Sequence, residues 1–242
     1  MQPKDYRKND STYIKYDRKG SIAGLVEVVI SKLLDFVRVG GNPFSHVDYW
    51  LEQESLEVGC CSKDFCGQGL TQLSLFKLLN ASTGLPYKDL SDTLNTLSRV
   101  AGNDARQHFL VVLALDYLLF NDDRHYNNYV LCVDTTGNII HSPAFDFGEA
   151  LFSASSSLRT HPIKELRQYY QDPKPFGREQ YNSLSIFWQG PPVVLNYRDF
   201  RASVDWWELC AFYPERTVMS VHDLLNRVIN SWENDSIIEV TL

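Results

Sequence analysis

The spacing of apolar residues differs between the first quarter of the chain and the rest. Short runs rich in β-branched and aromatic residues predict strands at residues 11–16, 47–52 and 56–61. Residues 23–37 are apolar at helical spacing and form a run too long for a typical strand, so they predict a helix. The first 65 residues therefore follow the order strand, helix, strand, strand.

Beyond residue 70, apolar residues recur mainly at helical spacing. The predicted helices cover residues 73–79, 88–100, 104–120, 197–212 and 220–232. The predicted fold class is α+β, with a small strand-rich lobe at residues 1–65 and a larger helical lobe at residues 66–242. A chain of 242 residues is long enough for two such lobes around a cleft.

One part of the larger lobe departs from the helical pattern. Two β-prone runs, at residues 129–134 and 138–141, are separated by Thr-Thr-Gly-Asn, which predicts a hairpin after the long helix. Asp123 and Asn128 lie in the loop between helix and hairpin, and Asp146 follows the second strand. Because a hairpin returns the chain to its start, we expect Asp146 to lie near Asn128.

These three polar side chains, in this order, match the needs of Mg²⁺-dependent phosphoryl transfer. One carboxylate, from Asp123, can orient or deprotonate an attacking hydroxyl. The amide of Asn128 and the carboxylate of Asp146 supply hard oxygen ligands for Mg²⁺. The sequence thus predicts a phosphotransferase site that uses ATP and Mg²⁺.

The same segment resembles a known family. The run from Asn121 to Asn128 is similar to the catalytic loop of HipA-like serine/threonine kinases, and Pro-Ala-Phe-Asp at residues 143–146 resembles their metal-binding segment. The order Asp-Arg-His-x-x-Asn is also similar to phosphoinositide kinases, and both families have a protein-kinase-like fold. The resemblance extends from Tyr13 to Phe152. One departure is Asn127, where HipA itself has lysine.

The resemblance implies a role for each matching residue. Asp123 and His125 would be catalytic-loop residues, with His125 expected to orient the loop rather than to transfer a proton. Lys15 on a strand and Glu27 on the next helix would form the ion pair that holds the nucleotide phosphates. Asn128 and Asp146 would bind Mg²⁺. The expected partners are ATP and a protein substrate, and the adenine is expected near residues 60–65.

Kinase-like proteins usually carry a glycine-rich loop before the lysine strand. The 14 residues before Lys15 contain no glycine, so we expect this loop to be missing or replaced. This departure keeps a second possibility open: a catalytically weak or inactive kinase-like module that binds a nucleotide or a protein. The Asp-Arg-His order leaves a lipid kinase open, although the chain has no evident polybasic segment. A metal-dependent hydrolase using Asp122, Asp123, His125 and Asp146 is a fourth possibility.

Charge and cysteine content limit the possible binding partners and the cellular location of the protein. The net charge of −7 argues against direct nucleic-acid binding, which usually needs a basic surface. No apolar run approaches the ~20 residues of a membrane span, and the N-terminus has no apolar signal-peptide core. The five cysteines lack zinc-site spacing, including the group Cys60, Cys61 and Cys66. Reduced thiols in a cytoplasmic protein are therefore expected.

Overall fold

The computed structural model describes residues 6–9, 12–18, 20–66, 69–83, 89–170, 175–176 and 180–242. Its strands, in chain order, are β1 (Tyr6–Asn9), β2 (Thr12–Tyr16), β3 (Val37–Val39), β4 (Asn42–Pro43), β5 (Tyr49–Glu54), β6 (Glu57–Lys63), β7 (Thr71–Ser74), β8 (Val130–Val133), β9 (Ile139–His141), β10 (Val193–Asn196) and β11 (Ile238–Thr241). Its α-helices are α1 (Ala23–Leu34), α2 (Leu75–Thr83), α3 (Leu90–Leu119), α4 (Ile163–Tyr169), α5 (Gln180–Phe187), α6 (Tyr197–Ser203), α7 (Trp206–Leu209) and α8 (Glu215–Asn230).

The first sheet carries Lys15. It is antiparallel, has the strand order β1-β2-β6-β5, and pairs Lys15 on β2 with Cys60 on β6. A Cβ atom on Gly59 would lie 2.8 Å from the carbonyl oxygen of Lys15, so only glycine permits this close approach of the two strands. Gly59 therefore allows β6 to lie close to the backbone of Lys15.

Helix α1 packs against this sheet and is buried on nearly all sides. Its start is held by Asp17, which accepts hydrogen bonds from the Gly24 N–H at 2.7 Å and from the Tyr213 hydroxyl at 2.6 Å. Burial raises the pKa of Asp17 above its ordinary value, whereas these two hydrogen bonds favour its charged form. The contact with Tyr213 ties the helix that carries Glu27 to the C-terminal part of the chain.

The second sheet joins distant parts of the sequence. Its order is β11-β10-β3-β4, and β3 pairs antiparallel with β10. Strands that follow α1 therefore share a sheet with strands near the C-terminus. The third sheet has the order β7-β8-β9, in which β8 and β9 form the predicted hairpin. Asp134 closes its turn by accepting hydrogen bonds from Thr136 and Asn138.

Helix α3 is the central helix of the larger part of the molecule. Gly102 has φ 84°, outside the helical region, and separates its two halves in agreement with the predicted break between residues 100 and 104. The half that runs from Ala105 to Leu119 is almost entirely buried, as the apolar sequence predicted. Its end is set by Phe120, which has a left-handed backbone conformation.

Several predicted element boundaries were wrong. The helix predicted at residues 23–37 ends at Leu34, because Val37 belongs to β3. The helix predicted at residues 197–212 is divided into α6 and α7, and Asp205 caps the second of them through the N–H groups of Trp207 and Glu208. The short strands β7, β10 and β11 were not predicted, since four residues carry too little periodicity.

None of the helices in the described part of the chain combines the length and the apolar character that crossing a bilayer requires.

Candidate active site

A cavity of about 180 Å³ lies between the first sheet and the segment that follows the hairpin. Strands β2, β5 and β6 contribute one wall. The predicted catalytic loop (residues 121–128) and the predicted metal segment (residues 143–148), called the catalytic loop and the metal segment below, contribute the other. The lining residues are Tyr13, Lys15, Tyr49, Cys60, Ser62, Asn127, Asn128, Phe145 and Asp146. Three of the residues predicted from the sequence, Lys15, Asn128 and Asp146, therefore meet in one place although they are far apart in the chain.

Lys15 lies close to two carboxylates, that of its predicted partner Glu27 and that of the predicted metal ligand Asp146. Its Nζ atom lies 2.7 Å from Oδ1 of Asp146 and 3.9 Å from Oε2 of Glu27. Burial favours the neutral amine, but the carboxylates of Asp146 and Glu27 outweigh it and raise the pKa of Lys15 above its ordinary value. Lys15 is thus a permanent cation at the cavity wall, in tighter contact with Asp146 than with its predicted partner Glu27.

Glu27 lies behind Lys15 on α1 and is 2% exposed. Its Oε1 atom accepts the backbone N–H of Phe147 at 2.8 Å, whereas Oε2 is buried without a hydrogen-bond partner among the described residues. Burial raises the pKa of Glu27 to about 6, although the charge of Lys15 opposes this. Glu27 therefore connects Lys15 to the segment that carries Asp146.

The catalytic loop is anchored by a buried ion pair. The Nε atom of Arg124 lies 2.8 Å from Oδ2 of Asp116, and the two side chains are 1% and 0% exposed. Asp116 also accepts a hydrogen bond from the Asn121 side chain at 2.6 Å. The left-handed turn at Phe120 brings Asn121 back over the last turn of α3, so that the helix end and the loop share one carboxylate. This anchor holds the loop from its inner side.

Arg124 also links the loop to the metal segment. Its NH1 group donates to the carbonyl of Asn128 at 2.9 Å and to the carbonyl of Phe145 at 2.5 Å. The guanidinium carbon lies 4.6 Å from the centre of the Phe147 ring. A single buried cation thus sets the distance between the chain at Asn128 and the chain at Asp146.

The remaining loop residues flank the cavity. Nδ2 of Asn128 donates to the carbonyl of Asp123 at 3.2 Å, which leaves the amide oxygen of Asn128 as the atom available to a cation. The carbonyl of His125 accepts the N–H of Asn128 at 2.8 Å, and Nδ1 of His125 is buried without a hydrogen-bond partner among the described residues. Among the described residues, the cavity lining includes neither Asp123 nor His125, and Glu27 reaches it only through Lys15.

The metal segment has an unusual backbone. Asp146 has φ 62°, a left-handed conformation that is strained for a residue with a side chain. Phe147 is buried, and a Cβ atom on Gly148 would lie 3.0 Å from Oε2 of Glu27 and 3.1 Å from the carbonyl oxygen of Ala23. The Asp-Phe-Gly order therefore has a structural reason: a turn that directs Asp146, an apolar anchor, and a residue small enough to pass α1.

The donor set at the cavity fits Mg²⁺. Asn128 and Asp146 offer an amide oxygen and a carboxylate, which are hard ligands of the kind this cation prefers. No histidine is among the described residues that line the cavity. Cys60 does line the cavity, but burial raises the pKa of its thiol well above the ordinary value, so it remains protonated.

Several residues that build this site could not be identified from the sequence. Asp116 lies inside a predicted helix and carries no sequence signal beyond being a charged residue within an apolar run. Asp17 and Tyr213 are separated by almost the whole chain and meet only in the fold. In the segment before Lys15, where kinase-like proteins usually carry a glycine-rich loop and this chain was expected to lack one, residues 1–5, 10 and 11 lie outside the described residues. The five cysteines are all free thiols.

Comparison with known proteins identifies the fold. No protein-family model and no curated protein matches the sequence. The crystal structure of the Helicobacter pylori proinflammatory kinase CtkA is similar over 93% of this chain and 85% of that chain, with a TM-score of 0.64 and 15% sequence identity. HipA of Shewanella oneidensis MR-1, from a complex with HipB and operator DNA, matches 91% of this chain and 49% of that chain, with a TM-score of 0.44 and 12% identity.

The conclusion about the fold rests on CtkA, because the HipA match has the lower TM-score and covers about half of that chain. Similarity over nearly the full length of both chains confirms the predicted α+β class and its two-lobed arrangement. At 15% identity the similarity establishes the fold alone, and any activity has to be inferred from the residues of the site. The chain therefore has a two-lobed, protein-kinase-like fold similar to that of CtkA.

Proposed function

We propose that this protein is an ATP- and Mg²⁺-dependent phosphotransferase that acts on a protein serine or threonine hydroxyl. The observation that carries the proposal is the meeting of Lys15, Asn128 and Asp146 around one cavity. A cation, an amide oxygen and a carboxylate from three separate elements are the groups needed to hold a metal-bound triphosphate. Cys60 and Ser62 line the same cavity, which supports an adenine position near residues 60–65.

The proposed reaction needs little covalent work from the protein. The acceptor oxygen forms a bond to the γ-phosphorus while the bond from that phosphorus to the β–γ bridging oxygen breaks, so that ADP leaves. Asp123 orients the acceptor hydroxyl and takes its proton. Lys15 holds the phosphates, Glu27 positions Lys15, and His125 maintains the loop conformation. Asn128 and Asp146 would hold Mg²⁺, which neutralises charge on the phosphate oxygens.

The proposal also includes the division of the chain into two lobes and its location in the cell. We place the two lobes at residues 1–65 and 66–242, with the cavity between them. The second sheet nevertheless pairs β3 with β10, so the lobes share strands as well as a cleft. A cytoplasmic location fits the free thiols.

Asp146→Asn provides the first test. The substitution removes a charged ligand from a hard cation, so we expect Mg²⁺-dependent ATP binding to be lost while the fold is kept. Isothermal titration calorimetry with ATP, in the presence and absence of Mg²⁺, measures this directly. An Asp146→Asn chain that binds Mg-ATP as tightly as the parent would contradict the assignment of Asp146 as a metal ligand.

Asp123→Ala separates an enzyme from an inactive nucleotide-binding module. We expect nucleotide affinity to change little, because Asp123 is outside the cavity lining, while phosphoryl transfer falls by ~10² or more. The assay follows radiolabelled γ-phosphate into protein, and Asp122→Ala serves as the matched control on the neighbouring residue. If the parent binds Mg-ATP but transfers no phosphate, the inactive module is the better description. If it binds no nucleotide, a metal-dependent hydrolase becomes the better description.

A further inference from the structure

A second group of possible metal ligands lies away from the cavity. Asp35, His46 and Asp48 each offer one ligand atom, and these atoms all lie within 4.8 Å of one another. Asp35 follows the last residue of α1, His46 lies in the connection after β4, and Asp48 directly precedes β5. None of them belongs to the cavity lining or to the proposed phosphotransfer site.

The imidazole of His46 is the informative member of this group. Its side chain is only 7% exposed, whereas those of Asp35 and Asp48 are 58% and 86% exposed. Its Nδ1 atom lies 3.2 Å from the carbonyl oxygen of Phe44, a contact in which Nδ1 must be the donor. That hydrogen bond leaves Nε2 with the lone pair in the neutral ring. Histidine ligands of metals are typically oriented in this way by a bond from the other ring nitrogen.

Nε2 of His46 is buried and has no hydrogen-bond partner among the described residues. It faces Oδ1 of Asp35 at 3.4 Å and Oδ1 of Asp48 at 3.6 Å. A cation bound between this nitrogen and the two carboxylates would stabilise the arrangement. The observed separations match the edge of a zinc tetrahedron, about 3.4 Å for metal–ligand bonds of ~2.1 Å.

The backbone beneath these side chains is already fixed. The Ser31 hydroxyl donates to the carbonyl of Val47 at 3.0 Å and accepts the N–H of Tyr49 at 3.0 Å. Val47 also donates to the carbonyl of Ala144 at 2.9 Å. The residues on either side of Val47 are His46 and Asp48, so the two ligands are presented by a segment held on both sides.

We propose that Asp35, His46 and Asp48 form a binding site for a divalent transition metal of the Zn²⁺ class. One imidazole nitrogen and two carboxylate oxygens suit this class, and the nitrogen disfavours Mg²⁺ and Ca²⁺. The exposure of both carboxylates leaves the remaining coordination positions to water. A bound ion connects the end of α1 to the segment that pairs with Ala144, two residues before Asp146.

The test is a titration of the purified chain with Zn²⁺ in excess Mg²⁺, which occupies sites made only of oxygen. We expect one Zn²⁺ per chain and a rise in melting temperature, since a ligand that binds only the folded state stabilises it. Asp48→Asn should weaken Zn²⁺ binding at least ~10-fold, the lower end of what the loss of even an outer-shell partner costs. His46→Gln should have the same effect by a second route.

His161→Gln is the matched control. It removes an exposed imidazole whose Nδ1 atom lies 3.1 Å from a carboxylate oxygen of Glu165, and it should leave Zn²⁺ binding unchanged. X-ray absorption of the zinc-loaded chain should show nitrogen and oxygen ligands without sulfur.

Three results overturn the proposal: no binding by the parent, parent-like binding by Asp48→Asn or by a folded His46→Gln, or sulfur ligands. The first would make the group a cluster of polar side chains that holds no metal. The last would place the metal on cysteines. Because Asp48 is exposed, Asp48→Asn decides the matter even if His46→Gln does not fold.

Discussion

Replacement of Lys15 by methionine is the sharpest test of how the two walls of the cavity work together. The substitution keeps most of the apolar stem and removes the ammonium group. In the structure this group lies 2.7 Å from Asp146 and 3.9 Å from Glu27, and the side chain is 19% exposed. Among the described residues that line the cavity, Lys15 is the only cationic side chain. ATP should therefore lose its main protein cation in the variant.

The expected magnitude follows from one charge-assisted contact. Such a contact contributes on the order of 2–3 kcal/mol, which corresponds to a ~30- to 150-fold loss of ATP affinity. Adenosine carries no phosphate, so its affinity should change much less. The variant also leaves the carboxylates of Glu27 and Asp146 without the cation between them. The pKa of Glu27, already raised to about 6 by burial, should therefore rise further in the variant.

Isothermal titration calorimetry with ATP, ADP and adenosine measures the loss as a function of phosphate number. Lys63→Met is the matched control, because Lys63 lies on the neighbouring strand β6 but is exposed and outside the cavity lining. If Lys15→Met binds ATP as tightly as the parent does, and adenosine as tightly as the parent does, the assignment of Lys15 as a phosphate contact is refuted. The cavity would then bind no triphosphate at this wall.

Three further predictions concern stability. Asp116→Asn leaves the buried guanidinium of Arg124 without its counter-charge, so urea unfolding should show a loss of about 3–5 kcal/mol, whereas Asp122→Asn should cost little. Burial and the neighbouring His141 lower the pKa of His108 to about 3, so the unfolded state binds a proton more readily than the folded state between pH 6.5 and pH 3. The free energy of unfolding should therefore fall as the pH drops below 6.5, by about 2 kcal/mol at pH 5. Glu27 acts in the opposite sense, because its raised pKa means that the folded state loses stability as the pH rises from 4.5 to about 6. Glu27→Gln removes this contribution, so its stability should fall more steeply than that of the parent on acidification from pH 6.5 to pH 5. Parallel curves of unfolding free energy against pH would contradict this.

The order of elements was predictable where the pattern is long or chemically distinctive. The buried half of α3, the β8–β9 hairpin and helix α1 follow from apolar spacing and from the turn sequence Thr-Thr-Gly-Asn. The short strands β10 and β11 were missed, because what defines them is pairing with β3 and with each other rather than their own four residues.

The site was predictable in its chemistry and less so in its construction. Asp123, Asn128 and Asp146 could be selected because the joint pattern of long helix, polar loop, hairpin and Asp-Phe-Gly is specific, whereas Asp and Asn alone are ordinary turn residues. The structure places Asn128 and Asp146, but not Asp123, at the cavity. The contact of Lys15 with Asp146 could not be predicted, since it depends on how the first sheet lies against the metal segment. Asp116 was missed for a related reason: a buried carboxylate has meaning only once its partner Arg124 is known.

The pair of Asp116 and Arg124 bears on whether the site is built to act or only to bind. A buried ion pair usually adds little net stability, because the cost of removing two charges from water offsets their attraction. Here Arg124 also donates to the carbonyls of Asn128 and Phe145, which adjoin the two predicted metal ligands. The left-handed backbone of Asp146 adds a further cost at the same place. Both features hold the proposed ligands in position before any nucleotide is bound. Such preorganisation serves transition-state stabilisation, and it also strengthens the binding of a metal-bound nucleotide. The construction of the site therefore supports the proposed phosphotransferase, and phosphoryl transfer by the parent chain distinguishes it from an inactive nucleotide-binding module.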